Sequence, residues 1–194
     1  MELVIVFVAS YLLGAIPSAY IIGKIKGIDI TSEGSGNIGG TNAYRVLGAK
    51  LGVLVALMDV LKVILPLWLT KVFVAGDVAL ALAALGAVTG HNWSVYVGFR
   101  GGKGIAVSIG TYVFLFPVYG LIALGFAIFN ILVTRYVSLG SLNFVAVMAV
   151  LLWVSDQPMA FKVLSLVLLA MAFYRHRSNI VRLRQGEERR FGQK

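Results

Sequence analysis

The sequence predicts an all-α, polytopic membrane protein of about seven transmembrane helices, with the N-terminus outside and the C-terminus cytoplasmic. Three observations carry that expectation. Hydrophobic residues make up 59% of the 194 positions and charged residues 13%, too few charges to cover a water-soluble surface. Uncharged runs recur at about the length of a bilayer crossing. Lys and Arg (17) outnumber Asp and Glu (8), and the cations gather in alternate loops. The length leaves room for one membrane domain over 1–194 and none for a separate soluble domain. A formal charge of +9 in so apolar a chain points to membrane orientation and not to nucleic acid. There is no cysteine, which excludes disulfides, thiolate catalysis and Cys-based metal sites.

The elements follow in order. Leu3 to Gly23 is the first span; Glu2 precedes it and Lys24 and Lys26 follow, the reverse of a signal peptide. A polar, glycine-rich segment runs from Lys24 to Lys50. Leu51 to Thr70 is the second span, with Asp59 and Lys62 inside it. Val78 to Gly90 is a short third span, followed by a second polar loop. The thirty residues Ile105 to Thr134 carry no charge and are too long for one crossing. Pro117 cannot donate a helical hydrogen bond, so the run divides at Phe116–Pro117. Its first half, Ile105 to Phe116, is about 18 Å long, short of a normal bilayer. Ser141 to Ser155 is the sixth span, and Pro158 is placed to start the seventh, Met159 to Tyr174. The tail 175–194 is basic and is expected on the membrane surface. With seven spans, fourteen of the seventeen cations fall on the side that holds the tail and every glycine-rich loop. That side is then cytoplasmic.

Three clusters could carry chemistry. The first is Gly34-Ser35-Gly36-Asn37-Ile38-Gly39-Gly40-Thr41-Asn42-Ala43-Tyr44-Arg45. It contains GxGxxG without the strand a dinucleotide fold requires. Its glycines let backbone N–H groups converge on an anion, its Ser, Asn and Thr add donors, and Arg45 can bind phosphate bidentately. The alternative is a flexible polar linker. The second cluster is Gly90-His91-Asn92-Trp93 and Phe99-Arg100-Gly101-Gly102-Lys103-Gly104. The loop opens a helix, a setting that holds phosphates. It is not a Walker A loop, because Val97 stands where the first Gly belongs and no Ser or Thr follows Lys103. Arg100 needs no role beyond anchoring. The third cluster runs from Arg175 to Glu188, with His176 and Asn179 on one helical face. Asp59 and Lys62 are i, i+3 and can pair, as a structural or a functional couple. Ser138 and Ser141 are helix-cap candidates first and ligands second. Two histidines without a carboxylate cluster do not make a metal site.

The strings GSGNIGGTNAYRVLG, GH…GFRGGKGIA and HRSNIVRLRQGEE resemble, in order and spacing, the three cytoplasmic signatures of the bacterial acyl-phosphate:glycerol-3-phosphate acyltransferases. The resemblance covers essentially the whole chain, including Asp59…Lys62 and RYVSLGS. It departs at Gly40 (usually Ala), at Trp93-Ser94 (usually an aromatic followed by Pro), at Val107 (commonly Thr) and at the GEE of the third string. It implies a single acyltransferase domain in the bacterial inner membrane, multi-pass, with a cytoplasmic active site. The implied reaction moves a fatty acyl group from acyl phosphate to the 1-hydroxyl of sn-glycerol 3-phosphate, giving lysophosphatidic acid and phosphate. That is the first acylation of phospholipid biosynthesis. Acyl-CoA and acyl-carrier protein are not donors, and the soluble acyltransferase His-x4-Asp motif is missing here too.

The residues expected to carry catalysis are Ser35, Lys103, His176 and Asn179, with His91 as a further candidate. Those expected to bind substrate phosphate are Gly36, Asn37, Gly39, Thr41, Asn42, Arg45, Gly101, Gly102, Gly104 and Ser141. No cofactor and no metal are expected; the partners are the two substrates and the bilayer. An acyl phosphate already carries a good leaving group, so positioning and oxyanion stabilisation can suffice. The base is expected to be a substrate phosphate rather than His91 or His176, because no acid is seen to orient either ring. A transporter for organic phosphates is the alternative in another class, suited by the glycine loops and by Asp59/Lys62.

Overall fold

The structure is a computed structural model and describes residues 1–192. Positions 193 and 194, which close the basic tail, lie outside the described residues. Ten α-helices form the described chain: α1 (Glu2–Gly14), α2 (Ser18–Ile25), α3 (Gly40–Leu47), α4 (Ala49–Phe73), α5 (Asp77–Asn92), α6 (Ile105–Leu115), α7 (Pro117–Thr134), α8 (Val137–Val154), α9 (Met159–Arg175) and α10 (Arg177–Gln185). The chain divides inside α6 into two compact units, Met1–Thr111 and the part from Tyr112 onward.

Among the described residues, four segments are long and apolar enough to cross a membrane: Glu2–Ile25, Ala49–Phe73, Pro117–Thr134 and Val137–Val154. The pair α9 and α10, bent by 59°, makes a fifth if counted as one span. The two elements that separate this number from the expected seven are α5 and α6. They have 16 and 11 residues, and at about 1.5 Å each they fall short of a ~30 Å core.

In the N-terminal unit, α1 packs along α5 and α4, and α3 lies on α4. The α1–α5 contact is close because both helices present glycine. A Cβ at Gly14 would overlap the Ala87 carbonyl, and one at Gly90 would overlap that of Tyr11. In lipid, where apolar burial drives nothing, such close backbone approach is what holds helices together. The outer face of α4 presents Leu54, Leu57, Leu61, Leu65 and Trp68, an exposed apolar stripe suited to acyl chains.

The first span is not the continuous helix expected from Leu3 to Gly23. It breaks over Ala15-Ile16-Pro17, because Pro17 has no N–H to donate and disfavours helical backbone at Ile16. Backbone groups freed at such a depth need partners. Ser94 Oγ donates to the Ala15 carbonyl and Lys62 Nζ to that of Ile16, at 2.8 Å.

In the C-terminal unit α7 packs on α8, and α8 on α9. The break expected at Phe116–Pro117 is present, with Pro117 as the first residue of α7. Phe116 stacks on Tyr119 and meets Phe161 edge-on, with ring centroids 6.4 and 5.0 Å apart.

Candidate active site

The N-terminal unit carries both glycine-rich loops. The first is shaped by its own polar side chains. Asp29 accepts from Thr31 Oγ1 at 2.7 Å and from Thr31 N–H at 3.0 Å, and these bonds hold its carboxyl below the ordinary value. Asn42 is buried and faces inward: its carbonyl accepts from Ser35 N–H at 2.8 Å, and its amide donates to the carbonyls of Ile30 (3.3 Å) and Glu33 (3.1 Å). Both amide hydrogens are thereby engaged by the loop, so Asn42, expected to bind phosphate, is a brace. Ser35 and Thr41 are exposed, Gly36 and Asn37 half-buried, and Arg45 is exposed in the last turn of α3.

The second loop is closed by an antiparallel bridge between Ser94 and Arg100, in which Ser94 N–H donates to the Arg100 carbonyl at 3.0 Å. Proline at 94 could not make this bond. The glycines that follow rest on the end of α5. Gly102 N–H donates to the His91 carbonyl at 3.0 Å, and any Cβ at Gly102 would overlap the His91 imidazole. Gly104, at φ +84°, lies against the Asn92 amide; a Cβ there would meet Asn92 Oδ1 at 2.8 Å. Asn92 is buried, and neither polar atom of its side chain has a hydrogen-bond partner among the described residues.

The fold brings the two loops together. A Cβ built on Gly39 would lie 3.1 Å from Asn37 Nδ2 and 3.9 Å from the Gly102 Cα. Residues some sixty positions apart in sequence therefore line one place, with Lys103 half-buried beside them.

Beneath the second loop sits a buried ionic group. Asp59 and Lys62 pair at 2.8 Å, with side chains 2% and 8% exposed. Lys62 Nζ also donates to His91 Nδ1 at 3.0 Å, and Ser18 Oγ donates to Asp59 at 2.9 Å. An ammonium has three protons and no lone pair, and Asp59, His91 and the Ile16 carbonyl take all three. Neutral His91 then carries its proton on Nε2.

The C-terminal unit holds the third cluster. His176 and Asn179 are both buried. His176 Nδ1–H donates to the Ala172 carbonyl at 2.8 Å, which places the ring's lone pair on Nε2. Asn179 Nδ2 donates to Glu188 Oε1 at 2.7 Å, Ser138 Oγ donates to the same oxygen at 2.7 Å, and Arg182 Nε reaches Oε2 at 2.9 Å. Burial pushes the Glu188 carboxyl up, but the bonds from Ser138, Asn179 and Arg182 outweigh it and hold the group below its ordinary value. Ser138 does not cap its helix as expected: the cap position is Tyr136, without a side-chain bond. Ser141, one turn further along α8, is buried.

Glu188 is the residue that reading the sequence undervalued. Its signal was the Glu187-Glu188 pair in an otherwise strongly basic tail. Ser18 gave no signal and Ser94 only its departure from the usual proline, because their side-chain partners are a charge or a backbone carbonyl distant in sequence.

Apolar helices long enough to cross a membrane, with glycine-rich polar loops between them, define a polytopic helical membrane protein. The family model described as glycerol-3-phosphate acyltransferase matches residues 4–186. A glycerol-3-phosphate acyltransferase of Halalkalibacterium halodurans is 45% identical over 194 residues, covering 96% of this chain and 94% of that one. One from Fusobacterium nucleatum is 42% identical over 185 residues, covering 95% of each. The crystal structure of PlsY, an integral membrane glycerol 3-phosphate acyltransferase, in its glycerol 3-phosphate form superposes with a TM-score of 0.94 at 38% identity, over 99% of this chain and 96% of that one. Its lysophosphatidic acid form gives 0.91. The chain belongs to the glycerol-3-phosphate acyltransferase family.

Proposed function

We propose that this chain acylates glycerol 3-phosphate with an acyl phosphate, releasing lysophosphatidic acid and inorganic phosphate. Glycerol 3-phosphate and lysophosphatidic acid as substrate and product are supported by the two forms of the PlsY structure, named for those molecules. Acyl phosphate as donor rests on the three sequence signatures. The observation that carries the site is the meeting of the two glycine loops at Gly39 and Gly102. The buried Asn92 amide beside Gly104, without a partner among the described residues, supports a polar ligand there. Lys103 and the loop N–H groups hold a substrate phosphate, with Ser35 and Arg45 at the first loop adding donors.

The glycerol 1-hydroxyl attacks the acyl carbonyl, its proton leaves to a base, and the C–O bond to phosphate breaks. His176, whose Nδ1 is turned to the Ala172 carbonyl, is the side chain offered as that base, with a substrate phosphate as the alternative. The orienting group that the sequence lacked is the Ala172 carbonyl, not an acid. Asn179 and Ser141 supply further polar contacts. Seven spans, an outside N-terminus and a cytoplasmic active site at the bacterial inner membrane complete the reading; the loop cations support it.

The test is a detergent assay with palmitoyl phosphate and labelled glycerol 3-phosphate. Wild-type protein makes labelled lysophosphatidate and phosphate in equal amounts. Lys103→Ala raises the KM of one substrate at least tenfold. His176→Ala lowers kcat about 100-fold or more, within the range of a lost general base. Phosphate release with no acylated product removes the acyltransferase reading. Wild-type kinetics in Lys103→Ala removes the loop from the site. Full turnover in His176→Ala returns the base to the substrate phosphate.

A further inference from the structure

We propose that Asp59, Lys62 and His91 are positioning residues for the transfer: the buried ion pair fixes the His91 imidazole as the floor under Gly102, and that floor sets the shape of the phosphate-holding loop. The proposal rests on the reading of Gly101–Gly104 as a phosphate loop and adds to it a device reaching into the membrane-spanning helices.

Four observations lead there. First, the pair is built for a fixed purpose. All three ammonium protons of Lys62 are taken, by Asp59, His91 and the Ile16 carbonyl, so none remains for a substrate. Lys62 acts through its neighbours. Second, one neighbour is a ring with two distinct ends. Nδ1 accepts from Lys62, which fixes the tautomer and the orientation; Nε2 lies where a Gly102 Cβ would be. Third, the loop is tied to the same residue by backbone: Gly102 N–H donates to the His91 carbonyl at 3.0 Å. Ring and carbonyl together leave Gly102 one position. Fourth, Lys62 also bonds to the break in the first span at Ile16, and Ser18 just beyond that break holds Asp59. One buried pair thus joins α2, α4 and α5 directly beneath the loop. Anchoring alone would not require an imidazole between the charges and the glycines.

Anion-loop geometry is sensitive at this scale. A misplacement of about 1 Å in a substrate-positioning group can cost about 100-fold in kcat/KM, which falls on KM when the group binds substrate away from the reacting atoms. A floor that holds one tautomer therefore acts on substrate affinity without touching the reacting atoms.

The test removes both charges at once, so that neither is left unpaired. Asp59→Asn/Lys62→Met is compared with wild type and with Lys103→Ala for kcat, for KM of both substrates, and for melting midpoint in detergent. The expected result is a midpoint close to wild type, kcat within about threefold, and KM raised at least tenfold. The affected substrate is the one whose KM rises in Lys103→Ala. A folded double variant with wild-type KM, beside a raised KM in Lys103→Ala, overturns the positioning role and leaves the loop reading intact. Wild-type KM in Lys103→Ala overturns the loop reading and this proposal with it.

A second measurement needs no charge-removing variant. With histidine 15N-labelled in the wild-type enzyme and His176→Ala used for assignment, His91 should show Nε2–H, an unprotonated Nδ1, and a resonance shift on adding glycerol 3-phosphate or palmitoyl phosphate. An Nδ1–H tautomer, or a His91 signal that neither substrate moves, overturns the proposal even where the double variant does not fold.

Discussion

His91 in the N-terminal unit accepts at Nδ1 from an ammonium, whereas His176 in the C-terminal unit donates at Nδ1 to a carbonyl. The same side chain is therefore set in two opposite tautomers. One presents a proton at Nε2 and suits holding a structure or an anion; the other presents a lone pair and suits taking a proton. The ionic groups around them differ in kind as well. Asp59 and Lys62 lie inside a span with both side chains almost wholly buried. Glu188 lies in the tail beyond α10, closed on one side by Ser138 and Asn179, while its cation Arg182 is 39% exposed. The difference shows that a charge deep in the fold fixes a neighbour, while a charge at its margin can fasten a segment that titrates.

The sharpest way to break this contrast is Lys62→Met alone. It leaves the Asp59 carboxylate buried with Ser18 as its remaining donor, an expected loss of about 3–5 kcal/mol. Adding Asp59→Asn should recover most of it, and melting of the four corners of that double-mutant cycle measures the coupling. A Lys62→Met enzyme as stable as wild type would place the pair with ordinary surface ion pairs.

The second effect is smaller and depends on pH. Glu188→Gln keeps the shape and removes the charge that three donors address, an expected loss of about 2 kcal/mol near neutral pH, since Arg182 is screened by water. The folded carboxyl is depressed below its unfolded value. Its contribution is therefore complete above the ordinary carboxylate range and fades as pH falls through the depressed value. The wild-type melting midpoint should fall toward that of Glu188→Gln in acid, and the two curves should converge. Parallel curves would deny the carboxylate its role.

The smallest effect is expected from Ser94→Ala. It removes one bond to the Ala15 carbonyl at the broken first span, worth about 1 kcal/mol, with kinetics unchanged. Because Lys62 holds the adjacent carbonyl of that break, the ratio of the two losses ranks the charged tie against the neutral one.

Much of the fold was legible from the residues. The split at Pro117, the start of α9 after Pro158 and the bridging of Asp59 to Lys62 follow from local chemistry: a missing N–H, a preset φ, and helical spacing. The break at Pro17 follows the same rule and was hidden by the uninterrupted hydrophobic run around it. The role of Asn42 as a brace was not legible, since a loop Asn reads equally as ligand or as scaffold until its partners are seen.

By itself the sequence determined that this chain lives in a membrane, which way its cations bias it, and which short strings hold the polar chemistry. Those properties reside in composition and in neighbours within a helical turn. Only the tertiary structure decided which string meets which: that Gly39 lies near Gly102, that His91 stands on Lys62, and that Glu188 is held by Ser138 from fifty residues away. The reason is physical. A buried polar atom must find a partner wherever the fold supplies one, and that partner's place in the chain is set by packing and not by sequence distance.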